Sequence, residues 1–359
     1  MKHLNTYITE YIIKKKLDKP IDSEYQYYPN SKEELTKNIQ ELISNKIYDF
    51  NCIDTSEITD MSSLFGDIVN NINKINFDVS KWDVSNVTNM AFMFVGCESF
   101  EGKNIENWDV SNVENMASMF NGCKKFTGKN IEELLDKGEN DLNCINTDNI
   151  TDMSHLFDTT SNKIIKYDFK NIYFDISDWD VSNVKNMNYM FVECNRFNCD
   201  LSKWNVSNLD NVEMMFCNCK NFTGKGLENW NVSNIKNMSY MFYTCYNFTG
   251  ETIENWNVSN VENMEGIFWG CENFNGSVSG WNVSKIKDMS ALFYGCNNFI
   301  GNGLENWDVS NVENMQFMFY DCKKLNCDLS KWNVSNVTDM DSMFYNCYSL
   351  KNTPSWYKE

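Results

Sequence analysis

WDVSNVENMASMFNGC, residues 108–123, returns almost letter for letter as WDVSNVENMQFMFYDC at 307–322, with looser copies between. Catalytic constellations are normally made once, whereas a unit repeated along a chain is a supersecondary element that cannot bury its own apolar face and is stacked on copies of itself. Tryptophans at 82, 108, 179, 204, 230, 256, 281, 307 and 332 mark the units, Trp356 closes the series, and the regular steps are 25 or 26 residues. Units entered through ENW, led by Glu106, Glu228, Glu254 and Glu305, follow a 26 step; those entered through SKW or SGW, at 204, 281 and 332, follow 25. Two degenerate units, IDTSEITDMSSLF at 53–65 and INTDNITDMSHLF at 145–157, carry Ile53 and Ile145 at the tryptophan position and bring the count to eleven.

Within a unit the apolar period switches. WxV alternates at two, which predicts a short strand with Trp82 and Val84 on one face and Asp83 on the other. Met90, Met93, Phe94 and Cys97 then fall at i, i+3, i+4 and i+7, which predicts a helix of about two turns. The residue before that first methionine position is always Asn or Asp: Asp60, Asn89, Asn115, Asp152, Asn186, Asn211, Asn237, Asn263, Asp288, Asn314 and Asp339. A short polar acceptor there reads as an N-cap. Phe100 and its counterparts, replaced by Leu325 and Leu350 in the last two units, dock the returning chain.

The expectation is therefore an α/β fold, a right-handed leucine-rich-repeat-like solenoid with a parallel β-sheet on one side and short helices on the other. Strands lie about 4.8 Å apart and packed helices about 8–10 Å, so such a stack would curve with its strands inside. Nine cysteines share one repeat position (97, 123, 194, 219, 245, 271, 296, 322 and 347), where that helix spacing would exceed disulfide reach, so they read as small buried thiols.

Residues 1–50 do not repeat. SKEELTKNIQELISNK carries a capping box from Ser31 to Glu34 followed by Leu35, Ile39, Leu42 and Ile43, and predicts an amphipathic helix over the first unit, so 1–50 reads as an N-terminal capping region. Residues 51–352 are the repeat array, with an irregular stretch at 124–178 that echoes the chain's own beginning. Residues 353–359, with Pro354 and Trp356, read as a C-terminal cap.

Thirty-one basic against 50 acidic residues give a net charge of −19 and a pI near 4.6, which repels a nucleic-acid backbone. No apolar run of membrane-spanning length occurs. The start, MKHLNTYITEYIIKKKLDKP, places its lysines after the apolar patch and offers no small-residue cleavage site. Classical secretion is therefore not expected, and a cytoplasmic or virion-associated location is favoured.

The pattern WxVSNVxxMxxMFxxCxxF, over about residues 51–352, resembles the BspA-like leucine-rich-repeat surface proteins, including their mycoplasma-type repeats. That resemblance implies adhesion and protein binding at a cell surface, and it transfers no catalytic residue.

The inventory for chemistry is poor: His3 and His155 are the only histidines, and no GxSxG or GxxxxGK[ST] motif occurs. No cofactor and no metal are expected; Cys194, Cys199, Cys217 and Cys219 fit no standard zinc spacing. The seven NVS and NVT sequons, at Asn86, Asn205, Asn231, Asn257, Asn282, Asn333 and Asn336, follow from the repeat pattern itself. Two surfaces stand out. The outward strand position forms a polar stripe of Asp54, Asp83, Asp109, Asn146, Asp180, Asn205, Asn231, Asn257, Asn282, Asp308 and Asn333, either an amide ladder or a concave binding face. The residue after each unit's phenylalanine reads Tyr243, Trp269, Tyr294, Tyr320 and Tyr345 in the second half, with Tyr240 and Phe317 on the other flank, either an interface or rings packed between units. The function expected is non-enzymatic protein binding, adhesion or scaffolding. The alternatives are a structural or host-attachment component of a phage or virus particle and an enzyme with a site in 124–178; self-association as an assembly subunit remains open.

Overall fold

The computed structural model describes residues 25–121, 123, 140–141, 147, 149–158 and 174–358. Near the start, Ser31 is extended and its Oγ accepts the Glu34 N–H at 3.3 Å, which opens helix α1 (Lys32–Ser44). Glu34 Oε2 reaches back to the Asn30 N–H at 3.1 Å, closing the box one residue earlier than the sequence suggests. Leu35, Ile39 and Leu42 on one face of α1 are buried against the core of the first unit.

The repeats themselves do not build the α/β, leucine-rich-repeat-like solenoid expected above. Besides α1, the described residues hold a single turn of helix, α2 (Val69–Ile72), and three-residue 3₁₀ turns. Among the described residues, paired strands longer than a single bridge are limited to β1 (Asn140–Asp141), parallel to β2 (Phe174–Asp175). Among the described residues no sheet runs along WxV, and no helix follows the Asn or Asp of any unit.

Backbone dihedrals give the reason. Ser63, Phe92, Ser118, His155, Tyr189, Met214, Tyr240, Gly266, Ala291, Phe317 and Ser342, each two residues before its unit's phenylalanine, have φ between 50 and 59°. A second left-handed residue follows four positions later at Gly96, Glu193, Asn218, Thr244, Gly270, Gly295, Asp321 and Asn346, with φ between 53 and 74°. A right-handed helix cannot contain either. Alternate N–H groups then serve different ends. Those of Met93, Val95 and Cys97 close tight turns onto Met90, Phe92 and Phe94 at 3.0–3.1 Å, while those of Phe92, Phe94 and Gly96 donate to Ala117, Met119 and Asn121 of the next unit at 2.8–3.0 Å.

Each unit is thus a flat, turn-rich rung bonded to its successor. Single parallel bridges link Asp60, Asn89, Asn115, Asp152, Asn186, Asn211, Asn237 and Asn263 in chain order, and again Asp288, Asn314 and Asp339. The bridges pass the irregular stretch through Asp152. With rungs held one backbone hydrogen bond apart where helices were expected, the wider spacing that would have curved the stack is absent. The Asn and Asp side chains do accept a backbone N–H, as a cap would, but two residues on: Asp60 from Ser62 at 2.8 Å, Asn237 from Ser239 at 3.0 Å, Asp339 from Asp341 at 3.0 Å. They open turns.

Packing follows the pattern read from the sequence. Trp82, Val84, Met90, Met93, Phe94, Cys97 and Phe100 are all buried, and Asp83 is exposed. Phenylalanines of successive rungs stack face to face, Phe191, Phe216, Phe242, Phe268, Phe293, Phe319 and Phe344 at 5.5–5.9 Å. A second column (Phe197, Phe222, Phe248, Phe274) lies 4.2 Å from the first. The indole N–H of Trp230, Trp256, Trp281, Trp307 and Trp332 donates to a carbonyl of the preceding rung at 2.9–3.3 Å. In three of the four 26-residue units a 3₁₀ turn stands directly before the tryptophan, at Ile105–Asn107, Leu227–Asn229 and Leu304–Asn306; the unit of Trp256 has a plain turn there.

This geometry reverses an ordinary expectation. Ser63, half-buried with φ 54°, should tolerate glycine better than serine, so Ser63→Gly should stabilise the protein by about 0.5–1 kcal/mol, where a helix interior would lose a similar amount. Urea midpoints decide; a net loss would restore the helical reading.

Candidate functional site

The phenylalanine of each rung points inward, so the residue after it and the left-handed residue two before it project from the same outer edge. On that edge Trp269 stacks on Tyr294 at 4.6 Å, Tyr294 on Tyr320 at 4.7 Å and Tyr320 on Tyr345 at 4.7 Å. Tyr243 joins Trp269 at 5.5 Å with the rings tilted by 57°. Tyr240 flanks Tyr243 and Phe317 flanks Tyr320, both edge-on. All are half-buried except Tyr345, which is 53% exposed. The two readings of these rings therefore merge: they pack on one another between rungs and also form surface. From Trp269 to Tyr345 the rings lie face to face, so this part of the column presents mainly ring edges. Tyr345, at the end of the column, is the most exposed of these rings.

Charge lines the edge. Tyr240 Oη donates to Glu265, and Tyr189 Oη to Glu213 Oε1 at 3.1 Å. Burial and then the Glu213 carboxylate push the Tyr189 hydroxyl up to about 12. Partial burial, with Asp321 nearby, also raises Tyr294. The Tyr189 and Tyr240 hydroxyls stay neutral donors at physiological pH, beside carboxylates.

Sequence spacing alone does not single out the edge's extension into the first half, where Phe92 is 46% exposed and His155 stacks on Tyr189 at 4.5 Å. The available signal was their position, two before the phenylalanine, shared with Tyr240 and Phe317. His155 Nδ1 lies 2.8 Å from the buried carboxylate of Asp158. The pair fixes the imidazole, but no serine, threonine or cysteine is bonded to its other nitrogen among the described residues. Most of 124–178, where an unrecognised site was considered, lies outside the described residues, as does Asn146 of the polar stripe.

The polar stripe is committed locally. Oδ1 of Asp83, Asp109, Asp180, Asn205, Asn231, Asn257, Asn282, Asp308 and Asn333 accepts the N–H of the serine two residues on at 2.8–3.2 Å, and Asp54 does so with Ser56. No bond joins Asn205, Asn231, Asn257 and Asn282 to one another. A different asparagine forms the rung-to-rung ladder: the amides of Asn208, Asn234, Asn260, Asn311 and Asn336 donate to serine carbonyls of the preceding rung at 2.6–2.8 Å.

The thirteen described cysteines are free thiols. Those of Cys219, Cys245, Cys271, Cys296, Cys322 and Cys347 donate to the preceding rung's phenylalanine carbonyl at 2.9–3.1 Å, and Cys194 does so at 3.7 Å. Burial raises them, Cys217 to about 12. Cys199 bonds instead to Asp175, so the four cysteines weighed as zinc ligands do not act as a set. Among the described residues no group of three or more His, Cys, Asp or Glu is placed to hold a metal ion, and no helix is long and apolar enough to cross a membrane.

Four overlapping segments, 33–134, 130–251, 215–305 and 278–358, match the family described as "Mycoplasma protein of unknown function, DUF285". The chain belongs to this family. Its matches run through the whole stack of rungs and through α1. No curated protein and no solved structure matches the chain.

Proposed function

We propose that the protein is a non-enzymatic binding or scaffolding module whose outer aromatic edge meets a protein partner. The observation that carries this reading is the column of Trp269, Tyr294, Tyr320 and Tyr345, stacked over four consecutive rungs, joined at a tilt by Tyr243 of the rung before, and left partly exposed. Aromatic side chains bury large area on binding at small entropic cost, and stacking has already ordered these. The net charge of −19 and the adjacent Glu265 and Asp321 favour a partner with basic groups. The likeness of the repeat to BspA-like surface repeats supports adhesion as the setting. The polar stripe is the weaker candidate, because its oxygens already serve the serine turns.

The double variant Tyr294→Ser/Tyr320→Ser tests this. It removes ring contacts at the edge alone, at about 0.5–1.5 kcal/mol per stacked pair, and should leave the protein folded. In affinity capture followed by mass spectrometry, proteins retained by the wild type should be lost from the variant. Retention of the same set by both would rule out the aromatic edge.

A further inference from the structure

The residue just before the bridging Asn or Asp of each rung is exposed, and over six consecutive rungs its charge alternates: Lys185, Asp210, Lys236, Glu262, Lys287 and Glu313. Backbone bonds hold these positions in line. The N–H groups of Lys185, Asp210, Lys236 and Glu262 each donate to the same position one rung back at 2.8–2.9 Å, and that of Glu313 donates to Lys287 at 2.7 Å. Threonines bound the run, Thr151 before it and Thr338 after it, and each hydroxyl is bonded to a carbonyl of the preceding rung. The column thus reads neutral, three plus-minus pairs, neutral.

Alternation could serve the single chain, and at one place it does: Lys287 Nζ lies 2.9 Å from Glu313 Oε1. Both side chains are more than half exposed, and pairs of that kind contribute little. The column has a further property, which is symmetry. Turned end for end it becomes its own complement, so a second copy laid antiparallel brings Lys185 against Glu313, Asp210 against Lys287 and Lys236 against Glu262, each pair made twice. The threonine ends then coincide as well. A parallel copy, or an antiparallel one slipped by a single rung, sets like charges together along the whole run. Elsewhere the net charge of −19 makes two copies repel, whereas along this column the charges cancel.

We propose that this column is the contact between two copies of the chain, related by a two-fold axis that passes between the rungs of Lys236 and Glu262. Closed two-fold contacts are self-complementary in this way. In the asparagine ladder beside it the same axis sets Asn234 against Asn260 and Asn208 against Lys285, again without like charges. The contact stops short of the Asp/Asn stripe, where the axis would oppose Asp180 and Asp308. Rungs about 4.8 Å apart make the strip about 25 Å long, an interface of the small, weak class. The inference does not rest on the aromatic edge as a partner surface.

Sedimentation equilibrium of the full chain tests it. The wild type should dimerise with a midpoint of about 0.1 mM or below. Lys236→Glu and Glu262→Lys should each weaken self-association at least about tenfold, while an equimolar mixture of the two should associate as the wild type does, because the exchanged charges then meet across the axis. Lys331→Glu alters net charge as Lys236→Glu does but lies off the column, and should dimerise normally. Should a single variant not fold, the double variant Lys236→Glu/Glu262→Lys takes its place and should dimerise like the wild type. A wild type that stays monomeric up to about 0.5 mM would overturn the proposal. So would folded single variants that dimerise as well as the wild type, or a mixture that associates no better than its components.

Discussion

Phe242→Ala is expected to cost about 3–5 kcal/mol, among the largest losses a single substitution can cause in this chain. The ring is fully buried between Phe216 at 5.7 Å and Phe268 at 5.9 Å, and it lies 4.2 Å from Phe248. Its removal opens a void shared by three rungs. Those rungs cannot close over it, because backbone hydrogen bonds fix their separation: Phe242 N–H donates to Ile267 at 3.0 Å and its carbonyl accepts the Cys271 thiol at 2.9 Å. In a stack where each unit touches only its neighbours, damage at one rung also weakens the coupling between the parts on either side. Urea unfolding of the variant should show a large fall in midpoint and a broader transition. A loss below about 1 kcal/mol would mean that the phenylalanine column is not packed as described.

Gly226→Ala should rank next, at more than about 2 kcal/mol. Gly226 has φ 93°, and an added Cβ would lie 2.2 Å from Ser202 N and 2.6 Å from Leu201 C. Both atoms belong to the backbone of the preceding rung and cannot swing away. Gly295→Ala is the matched control, since its φ is 71° but the nearest atom to an added Cβ is 3.6 Å away. It should cost only the left-handed strain, about 1–2 kcal/mol. The difference between the two variants measures how tightly the rungs are held together; equal costs would show that they part easily.

The two glycines also show how far the chain can be read without coordinates. The residue before each of the nine repeat cysteines is Gly96, Gly122, Glu193, Asn218, Thr244, Gly270, Gly295, Asp321 or Asn346, mostly types that tolerate left-handed backbone. That signal argued against a helix reaching the cysteine. The apolar spacing of Met90, Met93, Phe94 and Cys97 outweighed it, because two consecutive tight turns put the same four positions on one side as two helical turns do. The aromatic edge was legible as residues and position. Its stacking was not, since ring-to-ring contact depends on how close the rungs come.

The sequence by itself determined the repeat length, the order of the rungs and which side chains are buried, because burial depends on apolar pattern and the pattern recurs at one step. Only the tertiary structure decided where the backbone hydrogen bonds go. A rung's N–H groups can be satisfied within the rung, as in a helix, or by the rung beside it, and the apolar pattern is the same in both cases. The choice falls to the neighbour's carbonyls, which exist at bonding distance only once the rungs are stacked.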